Sequence, residues 1–347
     1  LRRAGIRDQW DRAIAGHGCA SAGLRSCAGR DAHPGGRLRG PQHHRRRPVL
    51  VPRPSCAQRG GLMSFGQVMM SRQGKLRGKL RHLGWLGWLA VAVIALFTFV
   101  AIFGPMLAPW DPDAIDLQYA YVGPIPGHPL GFDELGRDLY SRMLVGARSS
   151  FIGPLVLVLI STVFGTTIAL YAAWRRGWTD AGLSAGIDVA FAFPGLLLAI
   201  VLVTIFGASL QIAVIALALA YTPSLARLLR GTALRETGME YVRAFKVLGY
   251  SDRRILLQHV LPNLAPFIVA QAIITFGYAT LDLGGLSFLG LGVQAPTADW
   301  GAMVAAGAPG LLQGYPMQTL VAGGCLVLAA VSFAILGDRL ARMWGVE

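Results

Sequence analysis

The sequence predicts an all-α membrane protein with six transmembrane helices, and three observations lead to this class. Hydrophobic residues make up 54% of the 347 residues and charged residues only 14%, whereas soluble domains carry roughly 25% charged residues. The stretch from Leu83 to Leu107 contains no charged residue. Basic residues are also concentrated in alternate loops between the apolar stretches, which is typical of proteins that cross a membrane several times.

Residues 1–62 differ from the rest of the chain. They hold thirteen Arg, three Asp and neither Lys nor Glu, and they therefore carry +10 of the chain's formal charge of +14. Such a segment could be a nucleic-acid-binding arm or a targeting peptide. We instead expect a disordered segment, or one outside the natural protein if translation begins near Met63, so no nucleic-acid partner is predicted. Residues 63–82 are then a basic cytoplasmic segment.

The first span, from Leu83 to Leu107, would be about 37 Å long as a helix, more than the hydrocarbon core of about 30 Å. Five further apolar stretches follow, and only a tight turn near residues 207–209 separates the third span from the fourth. Together the six spans define a six-helix membrane domain at 83–340, followed by a tail at 341–347. The five later stretches are residues 150–173, 188–207, 210–226, 264–285 and 318–337.

The distribution of basic residues predicts how the helices are oriented. If the N-terminus is inside, the cytoplasmic segments hold sixteen Lys and Arg, and the outer loops hold three. Cytoplasmic loops of membrane proteins carry such an excess. We therefore predict that both termini are cytoplasmic.

The predicted cytoplasmic loop between spans four and five, residues 236–262, has a helical pattern of its own. Gly249 can end a first helix in a left-handed conformation, and Ser251 can begin a second. Pro262 suits the first turn of the helix that follows. We predict two short helices joined by a bend. The apolar face comprises Tyr241, Val242, Phe245 and Leu248, with Arg243 and Lys246 opposite.

This loop resembles the signature of the membrane permeases of binding-protein-dependent ABC importers. The signature reads E-A-A, three residues, Gly, nine residues, then I-x-L-P. Arg243, Ala244 and Phe245 stand at its first three positions, Gly249 at the Gly, His259 at the Ile, and Leu261 and Pro262 at the final pair.

Three other stretches are similar to the C-type permease subunit of the dipeptide, oligopeptide and nickel subgroup. They run from His128 to Ser150, from Ile187 to Ile200, and from Leu286 to Met303. The resemblance implies a type I ABC importer permease fold in the bacterial plasma (inner) membrane. It also implies a cargo of di- or oligopeptides, with nickel or another small solute as the alternative.

The resemblance further implies a set of partners. A second homologous permease would complete a heterodimer, and two cytoplasmic ATP-binding subunits would bind below it. An extracytoplasmic substrate-binding protein would deliver cargo to the outer loops, which run from Pro109 to Ala147 and from Leu286 to Gln318. The loop would dock into an ATPase subunit, and the alternative is a helix lying on anionic lipid. The residues assigned to this coupling are Tyr241, Val242, Arg243, Ala244, Phe245, Lys246, Gly249, Leu261 and Pro262.

The positions of the lysines indicate whether the chain could bind ATP itself. A Walker A loop needs Lys followed by Ser or Thr, whereas Lys75, Lys79 and Lys246 precede Leu, Leu and Val. We therefore expect no cofactor in this chain, with ATP and magnesium held by partner subunits. The sequence also offers no metal cluster and no catalytic residues. An ion-gradient-driven secondary transporter is the alternative, with Asp188 or Asp282 as its ionisable site.

Four residues are candidates for the transport pathway or for a hinge. Pro194 lies inside the predicted third span, where it removes a backbone hydrogen bond and can bend the helix. Gln271, Tyr278 and Asp282 lie along the predicted fifth span and could face a polar pathway. The alternatives are a static kink at Pro194 and ordinary interhelical hydrogen bonds for the polar residues.

Overall fold

A computed structural model describes residues 84–344. The predicted segments 1–62 and 63–82 lie outside the described residues, as do the last three residues of the predicted tail. The described part is helical and contains no strand. Its helices are α1 Gly84–Leu107, α2 Leu139–Arg175, α3 Gly177–Phe191, α4 Gly195–Phe206, α5 Leu210–Thr237, α6 Glu240–Val247, α7 Asp252–Ile255, α8 Leu261–Phe288, α9 Trp300–Leu312 and α10 Met317–Met343, with a 3₁₀ turn at Leu117–Tyr119 and a π-helical turn at Leu256–Val260.

The predicted six spans are confirmed, with one of them in two pieces. Helices α1, α2, α5 and α10, and the continuous run from α7 through α8, are each long and apolar enough to cross a membrane. Helices α3 and α4 meet the same test when the bent pair is taken as one broken span, which gives six. Several are longer than predicted. Helix α2 has 37 residues, about 55 Å, so it extends beyond a hydrocarbon core of about 30 Å.

The third span is broken rather than continuous, which corrects the placement of Pro194 inside a helix. Helix α3 ends at Phe191, α4 begins at Gly195, and their axes differ in direction by 76°. Pro194 is the residue that precedes α4. Proline restricts its preceding residue and lacks the N–H that would continue the α3 ladder, which explains why the helix stops here.

The core lies between α2, α5, α8 and α10, and α9 closes it at one end. The region between Leu286 and Gln318 was expected to be an outer loop, but it contains this thirteen-residue helix. The side chain of Trp300 is fully buried; its ring lies 5.3 Å from that of Phe97 and 6.0 Å from that of Phe151. Its indole N–H also donates to the Met143 carbonyl at 3.1 Å. The α9 end of this segment is thus part of the core.

The long loop before α2 is held by charged side chains. Asp133 accepts a hydrogen bond from Nε of Arg137 at 2.6 Å, and Arg142 donates to Asp113 at 3.0 Å. Asp138 caps α2 by accepting from the Ser141 N–H at 2.7 Å. Asp133 and Asp138 are buried, and hydrogen bonds to ionised carboxylates are among the strong ones. The loop between α1 and α2 is therefore a folded structure.

Candidate functional site

The loop of residues 236–262 contains α6, a tight turn and the start of the α7–α8 run. Helix α6 ends in a Schellman motif, because the Tyr250 N–H donates to the Phe245 carbonyl at 3.1 Å and the Gly249 N–H to the Lys246 carbonyl at 3.0 Å. Gly249 has φ +79°, so the predicted left-handed cap is confirmed. No atom lies within 4 Å of where its Cβ would be, so backbone conformation alone requires glycine there.

The sequence predicted a second short helix in this loop, and that prediction is wrong about the length of the helix. Helix α7 continues through the π turn into α8, which makes the second element the end of a long helix. The Leu261 N–H donates to the Leu256 carbonyl five residues back. Pro262 lies in the first turn of α8, as predicted. Because proline has no N–H, it cannot donate a hydrogen bond to the Gln258 carbonyl four residues earlier. The wider turn accommodates that missing hydrogen bond.

A small apolar cluster, hereafter the loop cluster, holds this loop against the ends of α2 and α5. Val242 of α6 is 1% exposed and Ile255 of α7 is fully buried. Burying a side chain of this size contributes roughly 1.5–3 kcal/mol. The loop is therefore packed onto the helical domain along one face. The members of the cluster are Leu170, Ala173, Ala233, Val242, Ile255, Val260 and Leu264.

Hydrogen bonds fix the loop at both of its ends. Glu236 accepts from the Tyr241 hydroxyl at 2.8 Å and from Nδ2 of Asn263 at 3.0 Å. Burial, together with the hydrogen bond to Glu236, raises the pKa of Tyr241 to about 12. Within the loop, where α7 begins, the Trp174 indole N–H donates to Asp252 at 2.9 Å. The loop thus joins α2, α5 and α8 through side chains from each helix.

Phe245 lies within the loop rather than on its outer surface. Its ring stacks on the imidazole of His259 with centroids 4.1 Å apart and planes 14° apart. The Tyr250 ring meets its edge at 5.2 Å. Leu248 was predicted to share the Phe245 face, but it is 70% exposed. The prediction is wrong for Leu248 because it caps α6 with ψ near 0° and turns away from the helical ladder.

The outward face of α6 is apolar and exposed. Val247 is 88% exposed, and Ala244 lies on the same side, three residues earlier. Leu248 adjoins them, and the side chains of Arg243 and Lys246 are also exposed. Lys246 lies with its Nζ 4.0 Å from the Trp174 ring centroid. This face, hereafter the docking face, is defined by Ala244, Val247 and Leu248.

The break between α3 and α4 lines a cavity of about 450 Å³. Its walls come from both sides of the break, from the middle of α5 and from Asp282 of α8. The carboxylate of Asp282 accepts a hydrogen bond from the Tyr221 hydroxyl at 2.7 Å. The structure therefore brings Pro194 and Asp282, two of the pathway candidates, to the same region.

The other candidates lie elsewhere. Tyr278 is 59% exposed, one helical turn before Asp282, and Gln271 lies three turns before Asp282. Neither lines the cavity. Asp188 forms an ion pair with Arg227, and both side chains are more than half exposed. Sequence reasoning missed Tyr221, whose signal would have been a tyrosine in the middle of an apolar span.

Two family descriptions match the chain. Residues 165–344 match the binding-protein-dependent transport system inner membrane component, and residues 85–124 match the N-terminal transmembrane domain of oligopeptide transport permease C. The first match covers the broken span, the loop of 236–262 and the cavity together. The second covers α1 and the start of the loop that follows it.

Several curated proteins are similar to this chain over most of its length. A dipeptide transport system permease protein of Alkalihalophilus pseudofirmus is 37% identical over 74% of this chain and 84% of the relative. A probable D,D-dipeptide transport system permease protein of Escherichia coli is 37% identical over 72% of this chain and 84% of the relative. A glutathione transport system permease protein of Pectobacterium atrosepticum is 35% identical over 71% of this chain and 82% of the relative.

Proposed function

Since the chain belongs to the family of inner membrane components of binding-protein-dependent transport systems, we propose that it forms one half of an ATP-driven import pathway for short peptides. The chain is a permease subunit of the C type and a multi-pass protein of the bacterial inner membrane. Such importers work with ATPase and substrate-binding partners. Membership in this family leaves no reason to invoke an ion gradient as the energy source.

The finer assembly is part of this proposal. A second, homologous permease completes the pathway as a heterodimer, and two ATP-binding subunits bind on the cytoplasmic side and hold ATP and magnesium. The loop of 236–262 faces those subunits. In support, the basic side chains Arg175, Arg235 and Arg342 lie in the last turns of α2, α5 and α10, all at ends that the basic-residue distribution places in the cytoplasm.

The docking face carries the proposal for ATPase contact. An exposed apolar face on a short helix, with cationic side chains beside it, fits a groove with an acidic rim. Val247 and Leu248 are among the most exposed apolar side chains of the described residues. The opposite side of α6 is already occupied by the loop cluster. Only the outward side remains for a partner.

The loop can transmit a movement because it is attached to three spans. When ATP draws the two ATPase subunits together, each docking face moves with them. The loop cluster and the hydrogen bonds of Glu236 and Asp252 pass that displacement to α2, α5 and α8 as one unit. Packed helices with such attachments move between discrete arrangements, which is the basis of alternating access. Hydrolysis then resets the pathway.

The peptide cargo is supported by the names of the relatives, which specify dipeptides and glutathione. Its direct test is uptake of radiolabelled dialanine by cells with and without this chain. Loss of uptake in the deletion strain, restored by the chain, is expected. If nickel uptake is lost and dialanine uptake is unchanged, the peptide assignment is wrong.

The coupling role is tested by replacing Val247 and Leu248 together with Asp. Removing two apolar anchors from an interface should lower the amount of ATPase that co-purifies by more than about tenfold, because central anchors contribute 2 kcal/mol or more. The membrane yield of the chain should not change, since both side chains are exposed. The measurement is quantitative mass spectrometry after affinity purification in mild detergent.

A matched control is Leu312→Asp. Leu312 is 90% exposed at the end of α9, so the substitution is chemically the same but lies far along the chain from the docking face. ATPase co-purification should match that of the unmodified chain. If the double variant of Val247 and Leu248 also retains its ATPase, the loop does not dock through this face.

A further inference from the structure

The cavity at the break between α3 and α4 contains an unusual carboxylate. Asp282 lies in the membrane-spanning part of α8, and its hydrogen-bond partner Tyr221 is eleven residues from Leu210, where α5 begins, about 16 Å along that helix. An ionisable side chain at such a depth is unfavourable unless it faces a cavity or a partner. Asp282 lines the cavity.

The charge of Asp282 is not neutralised by the described residues. No Lys, Arg or His side chain of residues 84–344 lies within ion-pair distance of its carboxylate. The Tyr221 hydroxyl donates to one oxygen and leaves the other without a hydrogen-bond donor among the described groups. Asp188 and Asp180 of α3 differ from Asp282, since they are paired with Arg227 and Arg230.

The broken helix contributes two opposite helix ends to this cavity. The C-terminus of α3, with Ala190 and Phe191 in the cavity wall, carries a partial negative charge. The N-terminus of α4, with Gly195 and Leu196 in the wall, carries a partial positive charge. Because these two partial charges oppose each other, the carboxylate of Asp282 decides the sign of the ligand that the cavity favours.

The remaining wall restricts the kind of cation. Apart from Asp282, Tyr221 and Ser224, the lining side chains are apolar or glycine, including Leu196 and Leu217. A divalent metal ion needs several hard oxygen ligands, and the described residues contain no group of three or more His, Cys, Asp or Glu that could hold one. A volume of about 450 Å³ suits a small organic molecule. An organic ammonium with an apolar body fits these walls.

We propose that this cavity is a binding site for the α-ammonium end of the peptide cargo, with Asp282 as its counter-charge and Tyr221 as the group that orients the carboxylate. The proposal rests on the proposed function, from which the cargo class is taken. The ammonium forms a charge-assisted hydrogen bond to the free carboxylate oxygen. The apolar walls accept different side chains, so the site selects a free amino terminus rather than a particular sequence.

The experiment measures ligand binding to the full-length chain, purified with its membrane partners, freed of the substrate-binding protein and placed in lipid nanodiscs. Dialanine is one probe and N-acetyl-dialanine, which lacks the ammonium, is the other. The unmodified protein should bind dialanine at least about tenfold more tightly than the acetylated probe, as expected for a hydrogen bond to a charged group. Asp282→Asn should remove this preference by weakening dialanine binding alone.

Two variants make the result specific. Asp188→Asn changes a carboxylate on α3 that does not line the cavity, and it should leave both affinities unchanged. Tyr221→Phe should weaken dialanine binding less than Asp282→Asn does, because it removes only the orienting hydroxyl. It also serves as the reporter if Asp282→Asn fails to assemble with its partners.

The outcomes separate this site from the proposed function. If cells import dialanine through the complex but Asp282→Asn and Tyr221→Phe both bind the two probes as the unmodified protein does, the ammonium site is wrong and the peptide importer stands. If the unmodified complex prefers dialanine at this site but cells import none, the peptide cargo is wrong and the cavity remains a site for organic ammonium groups. Equal binding of both probes to the unmodified protein overturns the site.

Discussion

The loop of residues 236–262 and the broken third span differ in how completely their polar groups are paired. In the loop, Glu236 accepts two hydrogen bonds, Asp252 accepts one from Trp174, and the Phe245 ring is stacked on His259. At the break, Asp282 has a single hydroxyl partner and faces a cavity.

This difference matches two mechanical roles. A segment whose apolar side chains are buried and whose polar groups are paired opens only at a high free energy, so it moves as a unit with its neighbours. A broken helix that lines a cavity has fewer neighbouring side chains to separate from when its surroundings change. The loop is therefore suited to transmit movement between helices. The cavity at the break is suited to bind a molecule and to change its shape.

The largest expected effect is that of Val242→Asp, which tests whether the loop is held as one unit. Val242 is 1% exposed within the loop cluster, so a carboxylate there would be buried without a partner. An unpaired buried charge destabilises by about 3–5 kcal/mol. We expect α6 to detach, which should appear as rapid hydrogen exchange across residues 240–255 and as loss of uptake.

The control for this prediction is Val247→Asp, the same substitution five residues later on the docking face. Val247 is 88% exposed, so hydrogen exchange of the loop should stay slow even though ATPase binding is weakened. Slow exchange in both variants would mean that the loop cluster does not hold α6 in place.

An intermediate effect is expected from Pro194→Ala, which tests whether the proline causes the break in the third span. Alanine supplies the missing N–H and favours a helix interior by about 3 kcal/mol relative to proline. The 76° bend between α3 and α4 should therefore decrease, and the cavity beside Asp282 should become smaller. Spin labels at Val189 and Ile205, which are exposed, would report a longer distance between the two helices, together with slower uptake.

Pro266→Ala is the matched control, because Pro266 lies inside α8 without breaking it. The distance between the two labels should then stay that of the unmodified chain. An unchanged distance in Pro194→Ala as well would show that packing of α4 on α5, rather than the proline, sets the bend.

Sequence patterns predicted the spans because hydropathy and helical length report on the membrane directly. They did not predict how far the helices extend. Helix α2 begins at Leu139 and α5 continues to Thr237, and both extensions contain charged residues that a hydropathy pattern excludes. Helix α9 was missed because it is short and glycine-rich, although Asp299 before an apolar run was a usable capping signal.

Within the loop, the sequence predicted the backbone conformation correctly, but it did not predict the direction in which each side chain points. Gly249 and Pro262 act through the backbone conformation of a few neighbours, so their roles could be predicted. The faces of Phe245 and Leu248 depend on how the helix ends and on His259, fourteen residues beyond Phe245. The pairing of Asp282 with Tyr221 joins residues 61 positions apart, and no spacing rule covers that distance.

The smallest effect is expected from Tyr241→Phe, which measures how much one hydroxyl group contributes to the stability of the loop. The hydroxyl donates to Glu236 at 2.8 Å and accepts a longer hydrogen bond from Nδ2 of Asn263 at 3.3 Å. Asn263 still donates to Glu236 in the variant, so the free energy of unfolding should fall by about 1 kcal/mol. Because the pKa of Tyr241 in the folded protein is raised to about 12, above the usual value of about 10, the neutral phenol stabilises the fold below pH 10. That contribution decreases as the pH rises toward 12. The phenylalanine variant should therefore lose less stability than the unmodified chain over this interval. Thermal unfolding at pH 8, 10 and 11.5 would show the two stability curves converging. Curves that stay parallel would mean that the pKa of Tyr241 is not raised in the folded protein.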